Sequence, residues 1–267
     1  MQSDLVFISI LQVIWLLVIH IFIFTGSKFL IAGGFVDGSF NKLTEVLEYV
    51  ETTSTPSFGQ LPSTRSNAVG AMFGNAPILC GGRAGSIDFF DNCISYQNSE
   101  WSQSHSMVQK RGYAAGVQIN STTFWILGGN DYDGFLNSTE FIIQGQTNGV
   151  PGPLLPYELG HMCAVKLYEN EIFVIGGQDG NEDRRNEVWI YDPQNGFARH
   201  QGQSLNTARK DHSCSTMRDG EKTVIIAAGG LNYDHYLDSV EIYDPNDNTW
   251  NSGKNKILTK KILTYLV

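Results

Sequence analysis

The segment FWILGG, Phe124 to Gly129, is a short apolar run ending in two glycines, and it recurs along the chain. Its equivalents are FLIAGG at 29–34, PILCGG at 77–82, IFVIGG at 172–177 and VIIAAGG at 224–230. The first glycines stand at 33, 81, 128, 176 and 229, so the intervals are 48, 47, 48 and 53 residues. An apolar run without alternation reads as a strand covered on both faces. Two glycines at its end let the backbone take positive φ and let another chain segment approach closely.

Other columns keep this register. A second strand follows each diglycine: EVLEY to Tyr49, CISY to Tyr96, EFII to Ile143, VWIYDP with Tyr191 and VEIYDP with Tyr243. An aromatic recurs downstream as Phe58, Trp101, Phe197 and Trp250, while the third repeat departs, with Gln144 in the tyrosine column and Val150 in the aromatic one. A further strand precedes each later diglycine, as SNAVGAMF, GYAAGVQI, HMCAVKLY and DHSCSTM. Tyrosine and tryptophan in such columns pack between sheets with their polar tips at a partner or water. One four-stranded sheet of this kind cannot cover both faces alone, so it stacks on copies of itself.

Over Lys28 to about Ser252 the chain resembles the kelch repeat family, whose period is about 50 residues. The resemblance implies an all-β, kelch-type β-propeller of four-stranded blades around a central channel; the five repeats give about five blades where the family usually has six or seven, so the reading is a rare five-bladed ring or a fragment of a six-bladed one. The repeats fall near 28–64, 65–110, 111–157, 158–208 and 209–267. Blade one lacks a strand before its diglycine in this reading, and the tail ILTYLV at 262–267 is expected to supply it. No helix is expected beyond residue 27. Composition agrees: 28 glycines in 267 residues, 12% aromatic and 17% charged residues fit many short strands joined by glycine turns. A net charge of −9 excludes a general nucleic-acid binder, which needs a cationic face for phosphates.

The N-terminus poses a separate question. Leu5 to Phe24 is apolar except for Ser9, Gln12 and His20, long enough either for a membrane-spanning helix or for a signal peptide. Asp4, with no Lys or Arg before the run, weakens the signal peptide; small Thr25 and Ser27 at the −3 and −1 positions strengthen it. The expectation is a leader or anchor over 1–27, cleaved near Ser27, and a propeller over 28–267 that is secreted or held outside the cell. The alternatives are a gene start whose first residues fold with the domain, and a cytoplasmic protein. Membrane contact is expected only if the apolar segment is retained.

Function is expected on one rim. The loops after the diglycines contribute Phe35, Asp37, Arg83, Asn130 to Asp133 with Tyr132, Asp179 to Arg185 with Arg184, and Asn232 to Tyr236 with Tyr233 and His235. The turns leading into the inner strands add Arg65, Arg111, Glu158 and Arg209 in one column. Arginine and tyrosine on loops of a rigid scaffold are a common binding composition. The resemblance adds that kelch propellers of ubiquitin-ligase adaptors bind peptides with this rim. The reading is a non-catalytic module for a protein or glycan partner, without cofactor.

One competing reading is an intracellular ubiquitin-ligase adaptor, although no BTB or F-box segment is spelled here. Another is a kelch-type enzyme acting on sugars, with His161 and His212 in one column and Asp211, Glu158 or His235 completing a metal site. The copper ligands of kelch enzymes such as galactose oxidase have no counterpart that can be placed on this chain. A structural role for the histidine in Arg209-x-x-His212-x-Cys214 fits the repeat better. Cys80 and Cys93 flank one hairpin, and Cys163 and Cys214 are read as equivalent positions on neighbouring inner strands. Four cysteines allow three pairings, and buried free thiols are a further alternative. Asn120-Ser-Thr and Asn137-Ser-Thr are N-glycosylation sequons in expected turns.

Overall fold

The computed structural model describes residues 17–18, 22–25, 28–32, 35–36, 39–40, 44–48, 51–55, 59–74, 76–192, 197–233 and 235–253. Among them there are strands and turns and no helix. Each of five sheets runs through four consecutive antiparallel strands, as the kelch-type β-propeller requires. The first comprises Phe22–Thr25, Lys28–Ala32, Thr44–Glu48 and Glu51–Thr55. The second comprises Val69–Phe73, Ala76–Cys80, Asn92–Gln97 and Glu100–Ser106; the third Ala115–Asn120, Thr123–Leu127, Thr139–Ile143 and Val150–Pro151. The fourth runs through Cys163–Tyr168, Glu171–Asp179, Arg184–Asp192 and Phe197–Gln201, and the fifth through Ser213–Asp219, Lys222–Ala228, Val240–Asp244 and Thr249–Ser252. By contacts, the described residues up to 160 form one compact unit and those from 161 another.

The apolar diglycine run is the second strand of every sheet, paired on both edges. Ile78, Leu79 and Cys80, Phe124 to Leu127, Ile172 to Ile175 and Val224 to Ala227 are accordingly buried. Within the first unit, Phe73, Ile78, Phe124, Ile126 and Ile142 share one core between the second and third sheets. Within the second, Phe173, Ile175, Val188, Ile225, Tyr243 and Trp250 do the same for the fourth and fifth. Each such side chain contributes about 1.5–3 kcal/mol by leaving water. The tyrosine and tryptophan columns meet as cross-strand pairs: Tyr96 faces Trp101 at 5.5 Å and Tyr243 faces Trp250 at 5.4 Å between ring centroids. In the third sheet, which lacks both, Trp125 stacks on Phe141 at 5.3 Å instead. Tyr49 and Phe58 lie outside the described residues.

The first sheet corrects one expectation. Its inner strand is Phe22–Thr25, the end of the apolar run, and not the tail, whose residues 262–267 lie outside the described part. The register is that of the other blades. Val18 pairs with Phe35 just as Ser66 pairs with Arg83, Gly112 with Asn130 and Lys210 with Leu231. Four residues later Phe22 pairs with Ile31, as Gly70 does with Leu79, Gly116 with Ile126 and Cys214 with Ala227. A leader removed near Ser27 and an intact first sheet therefore compete for the same residues.

The cysteines form two disulfides, Cys80–Cys93 and Cys163–Cys214. The first joins directly paired residues of neighbouring strands in the second sheet. The second staples the inner strand of the fourth sheet to that of the fifth. Cys163 and Cys214 are not equivalent positions, contrary to the sequence reading. Cys163 pairs with Ile175, the residue before its diglycine, whereas Cys214 pairs with Ala227, two before. Successive side chains on a strand point to opposite faces. The one-residue offset therefore turns the two sulfurs toward each other, where equivalent positions would have faced the same way around the stack. Two disulfides fit an oxidising compartment.

Candidate functional site

The arginine column is buried, so its expected role on a binding rim is corrected. Arg65, Arg111 and Arg209 are 1%, 2% and 0% exposed. Each guanidinium reaches the carbonyl of the first glycine in its own diglycine: Arg65 Nη1 to Gly81 at 2.7 Å, Arg111 Nη1 to Gly128 at 2.8 Å and Arg209 Nη1 to Gly229 at 2.7 Å. Each also binds the start of the following strand, at Asn92, Ser138 and Ser239 respectively, through both main-chain and side-chain oxygens. Glu140 and Glu241 complete the charge pairing at 2.9 and 2.8 Å, whereas Arg65 lies over the Phe90 ring at 4.1 Å. Burial pulls the Arg65 guanidinium down to about 10 and lowers that of Arg111 against the opposing charge of Glu140, and both remain cations at neutral pH.

These clamps explain the repeat locally. A carbonyl that turns away from a strand at a positive-φ glycine loses its ladder partner, and the planar fork of arginine supplies donors to it and to the next strand at once. Gly82 shows why glycine is required there: at φ +86° a Cβ would lie 2.5 Å from the Ser66 carbonyl oxygen. The second glycine also reaches the next repeat, Gly82 N donating to Arg111 O at 2.8 Å and Gly177 N to Arg209 O at 2.9 Å. Gly129 N donates to Leu159 O in the same way, so Leu159, not Glu158, occupies the column in the fourth repeat. Glu158 is exposed one residue away. Glutamates 140 and 241 were missed from sequence, although both stand twelve residues after the first glycine of their repeat.

What remains at the surface is aromatic. Tyr132 is 74% exposed on its post-diglycine loop in the first unit; Tyr233 is 57% and Tyr236 80% exposed on theirs in the second, with His235 exposed between them. Arg184 lies over the Tyr233 ring at 5.7 Å and is half-buried. Arg185 bridges to buried Asp179 and to Glu187, which makes it a brace within its own loop. Arg83 lies 4.9 Å from the centre of the Tyr113 ring. Asp37 lies outside the described residues, and of Phe35 only the backbone is described.

The histidines separate as well. The residue two after the arginine position takes positive φ in each repeat: Asn67 55°, Tyr113 53°, His161 57° and Asp211 53°. His161 is thus the counterpart of Asp211, not of His212, and its Nδ1 lies 2.7 Å from Asp211 Oδ1. His212 is buried, with Nε2 3.3 Å from Cys163 Sγ and no hydrogen-bond partner for Nδ1. It does not face the rim as a ligand beside His161. Among the described residues no cluster of three or more His, Cys, Asp or Glu side chains is arranged to hold a metal ion.

Burial, reinforced by the Arg209 charge and opposed by Asp211, drives the His212 imidazole down to about 3. The unfolded chain takes up that proton below about 6.5 while the folded chain resists it, so stability is full above pH 6.5 and falls as pH drops toward 3. The slope approaches about 1.4 kcal/mol per pH unit within that window. Urea unfolding of the native chain and of His212→Gln between pH 7 and 4 should show a shallower acid loss in the variant. Equal slopes would assign the acid sensitivity to other groups.

Comparison with known proteins bears on the fold. The kelch motif matches residues 160–196 and 222–256, in the fourth and fifth repeats. No curated protein sequence matches the chain. Among solved structures, the one titled "Structure of YjhT" superposes with a TM-score of 0.74 over 90% of this chain and 84% of its own. The two share 11% sequence identity, so the likeness is one of fold.

Proposed function

From the premise that this chain is a kelch-repeat β-propeller protein, we propose that it is a non-catalytic binding module that holds a protein or glycan partner on its post-diglycine loops. The observation that carries the reading is the placing of exposed tyrosines. Among the described residues, Tyr132 is exposed on such a loop of the first unit and Tyr233 and Tyr236 on one of the second, while Arg111 and Arg209 are spent on the scaffold. Tyrosine offers a flat apolar face with a polar tip at little entropic cost, which suits both peptide and sugar contacts. Arg184 beside Tyr233 adds a cation at the same place.

The disulfides and the sequons favour an extracellular setting for this module, reached through the secretory pathway. Capture of partners from extracellular fluid by the immobilised protein tests the reading. Tyr233→Ala with Tyr236→Ala should weaken capture at least tenfold, about 1.4 kcal/mol, while the thermal midpoint stays put. Undiminished capture by this folded variant would move the binding surface elsewhere.

The second reading is an enzyme acting on sugars, and the His161–Asp211 pair favours it, because a carboxylate at Nδ1 fixes the tautomer of an imidazole that moves protons. His161→Ala separates the two, since glycoside turnover that disappears with the imidazole while capture persists would make the chain an enzyme.

A further inference from the structure

We propose that Asn120 carries an N-linked glycan and that Asn137, within an equally good sequon, stays bare. This rests on the secretory address proposed above. In sequence the two sites are alike, Asn-Ser-Thr in both. Their surroundings are not.

Asn120 closes the hairpin between Ala115–Asn120 and Thr123–Leu127, and Asn120, Ser121 and Thr122 are all exposed. Its Oδ1 accepts two hydrogen bonds from the third residue of the sequon, from Thr122 N at 2.9 Å and from Thr122 Oγ1 at 3.0 Å. This is an Asx turn, which the residue types favour on their own. Two donors on Oδ1 draw electron density out of the amide and make an Nδ2 proton easier to lose. In transfer, Nδ2 attacks the anomeric carbon of a diphosphate-linked oligosaccharide and an N–C bond forms. The C–O bond to the diphosphate breaks, the diphosphate leaves with the electron pair, and the Nδ2 proton passes to a base of the transferase. The hairpin tip leaves the product sugar in solvent.

At Asn137 the same groups are committed to the scaffold. Thr139 is 3% exposed, and its hydroxyl donates to Pro153 O at 2.7 Å while accepting from Trp125 Nε1 at 2.9 Å. It has no proton left for the asparagine. Ser138 between them is held by Arg111 through both its oxygens and donates to Gln109 Oε1. The Asn137 carbonyl accepts from Leu155 N at 2.8 Å. Presenting this sequon would uncouple buried Trp125 and the Arg111 clamp, so folding of the third sheet closes the site.

The test is expression of the full chain in animal cells, once with its own N-terminus and once behind a foreign cleavable leader, with glycopeptides mapped by mass spectrometry. The expected result is one glycan, at Asn120, lost in Asn120→Gln and in Thr122→Ala and kept in Asn137→Gln. An unmodified Asn120 in the secreted, leader-fused protein overturns the proposal, and so does Asn137 occupied to the same extent. A glycan at Asn120 that appears only behind the foreign leader supports the site and overturns the address.

Discussion

Arg209→Ala is expected to destabilise the folded protein by about 3–5 kcal/mol, the range for removing one partner of a buried ion pair. The loss has three parts. Glu241, 2% exposed, loses the guanidinium 2.8 Å away, although Asn206 N and Thr207 N still donate to it. The carbonyls of Gly229 and Ser239 lose their shared donor, and an unsatisfied buried acceptor costs about 1–3 kcal/mol. A side chain of arginine size also vacates a fully buried place. Against a total of about 5–15 kcal/mol, one such change removes a large part of the stability. Urea unfolding followed by tryptophan fluorescence measures it, as a midpoint shift at constant slope.

Two comparisons sharpen that expectation. Arg209→Met with Glu241→Leu should be milder than Arg209→Ala only by the unpaired carboxylate and the vacated volume, since the Gly229 and Ser239 carbonyls still lack their donor and Asn206 N and Thr207 N lose their acceptor. The fourth repeat carries such a replacement in its sequence, with Leu159 in the arginine column and Val188 in the glutamate column. Tyr236→Ala, at an 80% exposed position, should fall within about 0.5 kcal/mol of the native chain. If Arg209→Ala proved as innocuous as Tyr236→Ala, the clamp would not hold the fold.

The same arginines show where the sequence stopped being informative. The diglycine spacing and the tyrosine and tryptophan columns were enough for the fold, because each is a local demand of one repeat on its own strands. The destination of a long cationic side chain is not local. Arg111 stands 17 residues before Gly128 and 29 before Glu140, and only the folded sheet brings all three together. Read by composition, arginine on a turn beside tyrosines looks like a binding surface; in the structure it is spent on orphaned carbonyls. The one-residue misplacement of Glu158 for Leu159 has a related cause, since the backbone φ and the Gly129–Leu159 hydrogen bond define the column and leave no mark on residue type. That same slip paired His161 with His212. Among the rim residues, the exposed tyrosines were legible because nothing in their loops offers them a core.

A chain beginning at Lys28 should be less stable than one beginning at Leu17, by on the order of 2–5 kcal/mol, with the loss concentrated in the first sheet. Removing 17–27 takes away the Leu17–Val18 pairing with Phe35 and Val36 and the four-residue strand Phe22–Thr25. At a net ~0.5–1.5 kcal/mol per hydrogen bond, the lost ladder alone accounts for that range. It also leaves Lys28–Ala32, in the apolar run FLIA, as an open edge, and such an edge recruits other chains. Limited proteolysis and amide exchange over residues 28–55 would show early opening and aggregation in the shorter chain, with the fourth and fifth sheets unaffected. The expectation extends to the mature N-terminus of protein recovered from cells, which should retain Leu17–Thr25. Hydropathy alone could not distinguish these uses, because an inner propeller strand and the apolar part of a leader have the same composition, and only the register tells them apart. A mature protein starting at Lys28 and as stable as the longer chain would mean that the first blade takes its inner strand from elsewhere, and the pairing of Phe22 with Ile31 would not be part of the native fold.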